Sequence, residues 1–175
     1  VPDLGTYCET EFVLQNEKDI IEDMLSEIQE SDVILDIGAN IGIHSLFAGC
    51  ITNSVVSIEP HQANNAILSA NISLNDTSSI DVYSCAFSNE STDLPISGPR
   101  KSMEIDGSAS VSESFEKEET YNKNDILVKC EIGDHFMQNR DVPHPSIIKI
   151  DVEGAEKSVI EGLSDIIKNE KTKLV

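Results

Sequence analysis

The feature that most constrains this chain is a series of short β-branched runs separated by stretches of helical periodicity. Val33 to Ile37 is one such run and leads into Gly38. Val55 to Ile58, Ile80 to Ser84, Ile126 to Ile132 and Ile147 to Asp151 follow the same form, and Lys173 to Val175 begins another. Several of these runs lack polar alternation, which fits strands covered on both faces. Between them, Asn16 to Glu30 carries Ile20, Ile21, Met24, Leu25 and Ile28 on one helical stripe, with Asn16 as the expected N-cap. Ile41 to Cys50 (packed by Ile43, Leu46 and Phe47), His61 to Leu74, Asp134 to Gln138 and Gly154 to Asn169 read as further helices. Right-handed crossovers would place the strands in one mostly parallel sheet with helices on both faces, an α/β architecture. Residues 88 to 125, rich in Ser, Glu, Asp and Lys, read as a long loop or insertion. Residues 1 to 175 thus read as one domain with a lead-in and helix over 1 to 31. The chain stops where a further strand begins, as though cut short.

Charge narrows the partners. The 32 acidic residues outnumber the 12 basic ones, for a net charge of -20. Such a surface repels a phosphate backbone, so no nucleic-acid substrate is expected. The acids recur along the chain rather than forming a tail, which favours a salt-adapted protein over one with an acidic docking segment. No apolar run reaches membrane-spanning length and no signal peptide is visible, so no membrane association and a cytoplasmic location are expected. The four cysteines, Cys8, Cys50, Cys85 and Cys130, show no metal-ligand spacing. Cys50 and Cys85 read as small buried hydrophobes, and no metal is expected. Nothing in the sequence speaks to oligomeric state.

In doubly wound sheets, ligands bind beyond the carboxyl ends of the strands. After the first run comes Asp36-Ile37-Gly38-Ala39-Asn40-Ile41-Gly42. The glycines permit a tight turn into a helix N-terminus. The G-x-N-x-G spacing differs from the G-x-G-x-x-G that cradles a pyrophosphate, and Asp36 would repel one. A carboxylate there suits a cationic ligand such as S-adenosylmethionine, which carries an ammonium and a sulfonium. Glu59, ending the second run, is placed to accept both hydroxyls of a ribose. In IIKIDVEGAE, Asp151 ends an apolar strand and is expected to face the crevice, with Glu153 and Glu156 close behind. Acids in a first helical turn are also ordinary dipole partners, which suffices for Glu156. Lys149 lies within the strand and needs an acid beside it. His44 and His61 follow the first two runs and are candidates for proton transfer, with helix packing as the alternative for each.

VILDIGANIGIHSLFAG, SIEPHQAN and IIKIDVEGAEKSVIEGL together resemble the signature blocks of the FkbM-type methyltransferases, and VKCEIGDHF resembles the segment ahead of the third block. The resemblance runs from about Asp32 to Val175. It implies a Rossmann-like class I methyltransferase fold that uses S-adenosyl-L-methionine. It implies that Asp36, Gly38, Ala39, Asn40 and Gly42 surround the methionine end of the cofactor and that Glu59 holds the ribose. The backbone near Cys85 and Ala86 would neighbour the adenine, and Asp151 and Glu153 the transferred methyl group. His44 is a second candidate base. Such enzymes commonly methylate hydroxyls of sugars, glycans or small natural products. Two other readings remain open at this level: a module that binds the cofactor without chemistry, and an NAD-dependent oxidoreductase, which the GANIG spacing disfavours.

The charge excess carries its own prediction. If repulsion among surface acids opposes folding, the thermal midpoint should rise from low salt to about 1 M, where the screening length falls to about 3 Å. A midpoint that is flat or falls on adding sodium chloride would refute salt adaptation.

Overall fold

Five short strands, each bonded to the next in parallel, form the central sheet of the computed structural model, which describes residues 18, 21–75, 77–97, 125–168 and 172–175. A helical stretch over residues 21–27 (α1) is followed by β1 (Ile34–Ile37), α2 (Ile43–Gly49), β2 (Val55–Ile58), α3 (Gln62–Leu74) and β3 (Ile80–Tyr83). Next come β4 (Ala86–Ser88), β5 (Thr92–Ser97), β6 (Asp125–Ile132), α4 (Gly133–Asn139), β7 (Ile147–Ile150), α5 (Glu156–Gly162), α6 (Ser164–Ile167) and β8 (Lys173–Leu174). The central order is β3-β2-β1-β7-β8. The chain leaves β1 in one direction towards β2 and returns on its other side as β7, so the switch point lies between β1 and β7.

Side-chain alternation along the strands splits the core in two. Leu35, Ile37, Val56, Ile58 and Ile148 pack against Phe136, Met137, Val159, Leu163 and Ile166 of the α4–α6 side. Ile34, Val55, Ile80 and Ile147 pack against Met24, Ile28 and Ala48 of the α1–α2 side. Both faces are thus covered, which explains why β1 and β2 are buried at every position. Residues 16 and 20 of the expected first helix lie outside the described residues, but its inward stripe at Ile21, Met24 and Ile28 is buried.

Four expectations need correction. First, the run at 126–132 is not in the central sheet. As β6 it forms a second sheet of order β4-β6-β5, parallel to β4 and antiparallel to β5. Second, the start of the expected 88–125 loop is strand: Thr92, Leu94 and Ile96 share a face with Cys130, Val128 and Ile126. The intervening Asp93, Pro95 and Ser97 hide that alternation, and the proline is tolerated because β5 is an edge strand. Residues 98–124 lie outside the described residues. Third, the expected helix from Gly154 is broken at Leu163. The Asp134 carboxylate of α4 accepts the backbone N–H groups of Asp165 at 2.9 Å and Ile166 at 3.1 Å, capping α6 separately. Fourth, α2 buries His44, Ser45 and Ala48, whereas Phe47 is 39% exposed and Cys50 is exposed.

The second sheet meets the rest of the molecule at Gly162 and Gly133. A methyl group on Gly162 would run into the Ser88 carbonyl, and one on Gly133 into Leu163. The close approach of α5 to β4 therefore requires Gly162. Gly162→Ala should cost about 1–3 kcal/mol in urea unfolding, because backbone has to move to admit the methyl group. A change within about 0.5 kcal/mol, the usual range for surface substitutions, would show that α5 and β4 are not so closely packed.

Candidate functional site

The register of the parallel strands places Asp36 of β1 opposite Lys149 of β7 and Ser57 of β2. All three side chains lie on the sheet face covered by α2. Lys149 is 7% exposed and Asp36 1%. The Lys149 ammonium donates to Asp36 Oδ1 at 3.1 Å. Ser45 of α2 donates to Asp36 Oδ2 at 2.6 Å, and the Ser45 and Ser57 hydroxyls lie 2.7 Å apart. With Ser45 donating to Asp36, Ser57 donates to Ser45. Burial pushes the Lys149 ammonium towards neutrality, but the carboxylates of Asp36 and Asp151 outweigh it and hold its pKa above the ordinary lysine value. The acid expected beside Lys149 is therefore Asp36. Its carboxylate faces this buried network. The sequence reading missed Ser45 and Ser57. A serine within the apolar run VVSI, level with Asp36, was the available signal.

Above the network the backbone turns sharply. Gly38 has φ 79°, Asn40 φ 52° and Gly42 φ 90°. Gly38 and Ala39 both donate backbone N–H to the Ile58 carbonyl, at 2.9 and 3.1 Å, pinning this loop to the end of β2. On its other side the Asp151 N–H donates to the Ile37 carbonyl at 3.0 Å. A side chain on Gly38 would strike the Asp151 carbonyl, so only glycine lets the two loops touch. The facing loop also holds a residue in left-handed backbone, Glu153 at φ 40°, followed by Gly154 at φ 98°. Non-glycine residues held this way concentrate at functional sites.

Glu59, just past β2, is buried. It accepts Asn40 N–H at 2.9 Å on one oxygen and His61 N–H at 2.8 Å on the other. Burial raises its pKa above the ordinary 4.5, against the lowering effect of those two backbone donors. It thus fixes the β1 and β2 loops relative to each other, with the Asn64 side chain as a third donor to it. Asn40 Oδ1 is buried and has no hydrogen-bond partner among the described residues. An unpaired buried acceptor of this kind calls for a donor from beyond the described residues.

The remaining candidates divide. The Asp151 side chain is 61% exposed at the crevice, with its carboxylate 3.6 Å from Lys149. Glu153 follows it in the strained turn, while Glu156 accepts the Gly154 N–H and stabilises that turn. His44 is buried in the first turn of α2. His61 is the N-cap of α3, its ring accepting Asn64 N–H, so packing accounts for it. Cys85 is buried just past β3, and burial pushes its thiol up to about 12, which leaves it unreactive. Ala86 next to it opens β4. No His, Cys, Asp or Glu cluster suited to a metal occurs among the described residues, and no helix among them is long and apolar enough to cross a membrane. The side chains gathered at the carboxyl ends of β1, β2 and β7 offer acceptors: Glu59 and Asn40 Oδ1, both buried, and the exposed Asp151. They suit a ligand rich in hydroxyl and ammonium donors and oppose a phosphate-rich one.

Comparison with known proteins bears on the family and the fold. The family model described as Methyltransferase FkbM domain matches residues 36–175. Hexuronic acid methyltransferase AglP of Haloferax volcanii is 28% identical over 156 residues, covering 89% of this chain. This chain spans 60% of that relative's length. Among solved structures, methyltransferase FkbM from Methylobacillus flagellatus aligns with TM-score 0.57 at 22% identity, over 85% of this chain and 33% of that one. Precorrin-6y C5,15-methyltransferase from Geobacter metallireducens aligns with TM-score 0.52 at 13% identity, over 87% of this chain and 58% of that one. At these identities the two structures speak for the fold alone: α/β, Rossmann-like, with a mostly parallel central sheet.

The buried pair yields a stability prediction. Lys149→Met leaves Asp36 charged and uncompensated, and should cost about 3–5 kcal/mol in chemical denaturation. Adding Asp36→Asn to that variant should recover most of the loss. Equal stability of Lys149→Met and the wild type would show that the pair is not buried as described.

Proposed function

The chain belongs to the FkbM methyltransferase domain family, and from that premise we propose that it moves a methyl group from S-adenosylmethionine to an oxygen of a sugar, glycan or small natural product. The observation that carries the cofactor assignment is the set of acceptors at the strand ends, above all Glu59 bonded to the Asn40 N–H beside Asn40 Oδ1, a buried acceptor with no partner among the described residues. In this reading Gly38, Ala39, Asn40 and Gly42 surround the methionine end, with Asn40 Oδ1 accepting from a donor there. Glu59 is the group that meets the ribose hydroxyls. The backbone at Cys85 and Ala86 lies alongside the adenine. Asp36 serves from below, by holding Lys149. When bound, S-adenosylmethionine supplies a methyl carbon already activated by its sulfonium.

The chain's own task is therefore largely positioning, plus removal of one proton from a hydroxyl acceptor. Asp151 is the group we assign to that proton, because it is the exposed carboxylate at the switch point. Glu153 orients the acceptor beside it, and His44 is the second candidate base. The curated relative's name points to a hexuronic acid as the acceptor class. A hexuronic acid offers hydroxyls and a carboxylate. Only the hydroxyl needs a base, so a large loss on removing Asp151 would mark a hydroxyl as the methylated oxygen.

The test joins calorimetry with S-adenosylmethionine to an assay for S-adenosylhomocysteine over a panel of uronic acids, neutral sugars and sugar-bearing natural products. Asp151→Asn should lower turnover by about 10²- to 10⁴-fold, the usual contribution of a general base, with cofactor affinity nearly unchanged. Turnover insensitive to Asp151→Asn would overturn the assignment of Asp151, passing the base role to His44 or the accepting oxygen to a carboxylate. Binding without product across the whole panel would make the chain a cofactor-binding module, and binding of NADH in place of S-adenosylmethionine would overturn the reading.

A further inference from the structure

Lys149 is the one buried cation among the described residues, and its surroundings exceed what stability requires. A lone pair between β1 and β7 would need only Asp36, and well-packed apolar residues could replace such a pair at little cost. Here the Asp36 carboxylate is held on its second oxygen by Ser45, which is itself held by Ser57. Asp36 is thus fixed, and it fixes the ammonium. The ammonium also lies 3.6 Å from Asp151, a side chain otherwise 61% exposed on a loop next to a left-handed turn. The same loop is held against the β1 loop by the Asp151 N–H to the Ile37 carbonyl and by the absence of a side chain on Gly38. One buried charge therefore links the floor of the β1 loop to the carboxylate on the acceptor side.

We propose that Lys149 is a positioning residue for methyl transfer, its ammonium held by Asp36 and in turn holding the Asp151 carboxylate in place. The proposal rests on the reading of Asp151 as the group that meets the acceptor. Lys149 itself touches neither cofactor nor acceptor. Its long, flexible stem is restrained by burial, so the ammonium serves as a fixed point for an exposed side chain that would otherwise sample several rotamers.

The test uses K149M, K149R, D151N, K149M/D151N and the charge-balanced D36N/K149M, which keeps the protein folded if K149M alone does not. Three readouts are taken: turnover, affinity for S-adenosylhomocysteine by calorimetry, and hydrogen exchange of the amides from 151 to 155 without ligand. K149M and D36N/K149M should lose about 100-fold in turnover, at the low end of what a lost base costs, with affinity falling far less. K149R should restore a substantial part of the turnover. In the D151N background, K149M should cost less than about threefold, since the residue it positions is already gone. Amides 151–155 should exchange several-fold faster in D36N/K149M even where its thermal midpoint matches the wild type. Wild-type exchange and turnover in D36N/K149M would overturn the proposal and leave Lys149 a core residue. An equal loss from K149M in both backgrounds would overturn it as well. If the wild type itself yields no S-adenosylhomocysteine, the proposed reaction falls, and unchanged 151–155 exchange would separately remove the tether.

Discussion

A charged lysine inside a parallel sheet cannot be solvated, so an anion has to stand beside it, and the strand register decides which one. Here the register sets Lys149 of β7 level with Asp36 of β1, the two strands that flank the switch point. The helix α2 is rotated so that Ser45 reaches the same carboxylate. That rotation has a consequence on the other side of the helix: Phe47, which helical periodicity would bury, is left partly in solvent. Satisfying one buried charge took precedence over burying one aromatic ring.

The crevice above this network is built from backbone as much as from side chains. Gly38 allows the β1 and β7 loops to touch, and Ile58 accepts two N–H groups that pin the first of them. Glu59 then ties the β1 loop to the β2 loop through two further backbone donors. Three strand ends are thereby held in fixed relation before any ligand arrives. Such preorganisation suits a reaction in which the electrophile is already activated and the protein mainly has to align two reactants. It also explains the chemistry of the lining. The backbone donors of Gly38, Ala39, Asn40, His61 and Asp151 are spent on holding the loops together, which leaves acceptor side chains at the strand ends.

Much of this was legible in the residues. The β-branched runs from Val33, Val55, Ile80 and Ile147 became the central strands because a strand covered on both faces carries apolar residues at nearly every position. Lys149 announced a buried acid by being a lysine among isoleucines. The second sheet was not legible. In β5 the inward Leu94 and Ile96 alternate with Asp93, Pro95 and Ser97, a pattern that reads as loop until β6 is seen to supply Val128 and Cys130 opposite. The break between α5 and α6 was equally hidden, because its cause, Asp134, lies on α4. The missed site residues, Ser45 and Ser57, are common residues whose meaning depends on what stands next to them.

The sequence by itself determined the alternation of strand and helix, the glycine-rich turn after β1, the acids at the strand ends and the family. These are local properties, carried by side-chain type and spacing along one segment. Only the tertiary structure decided that Asp36 turns inward to Lys149, that Glu59 spends two hydrogen bonds on neighbouring loops, and that Asp151 stands exposed beside a buried ammonium. Each of those depends on which residues from distant segments share a level in the sheet. Register and burial set that level, and no single segment carries them.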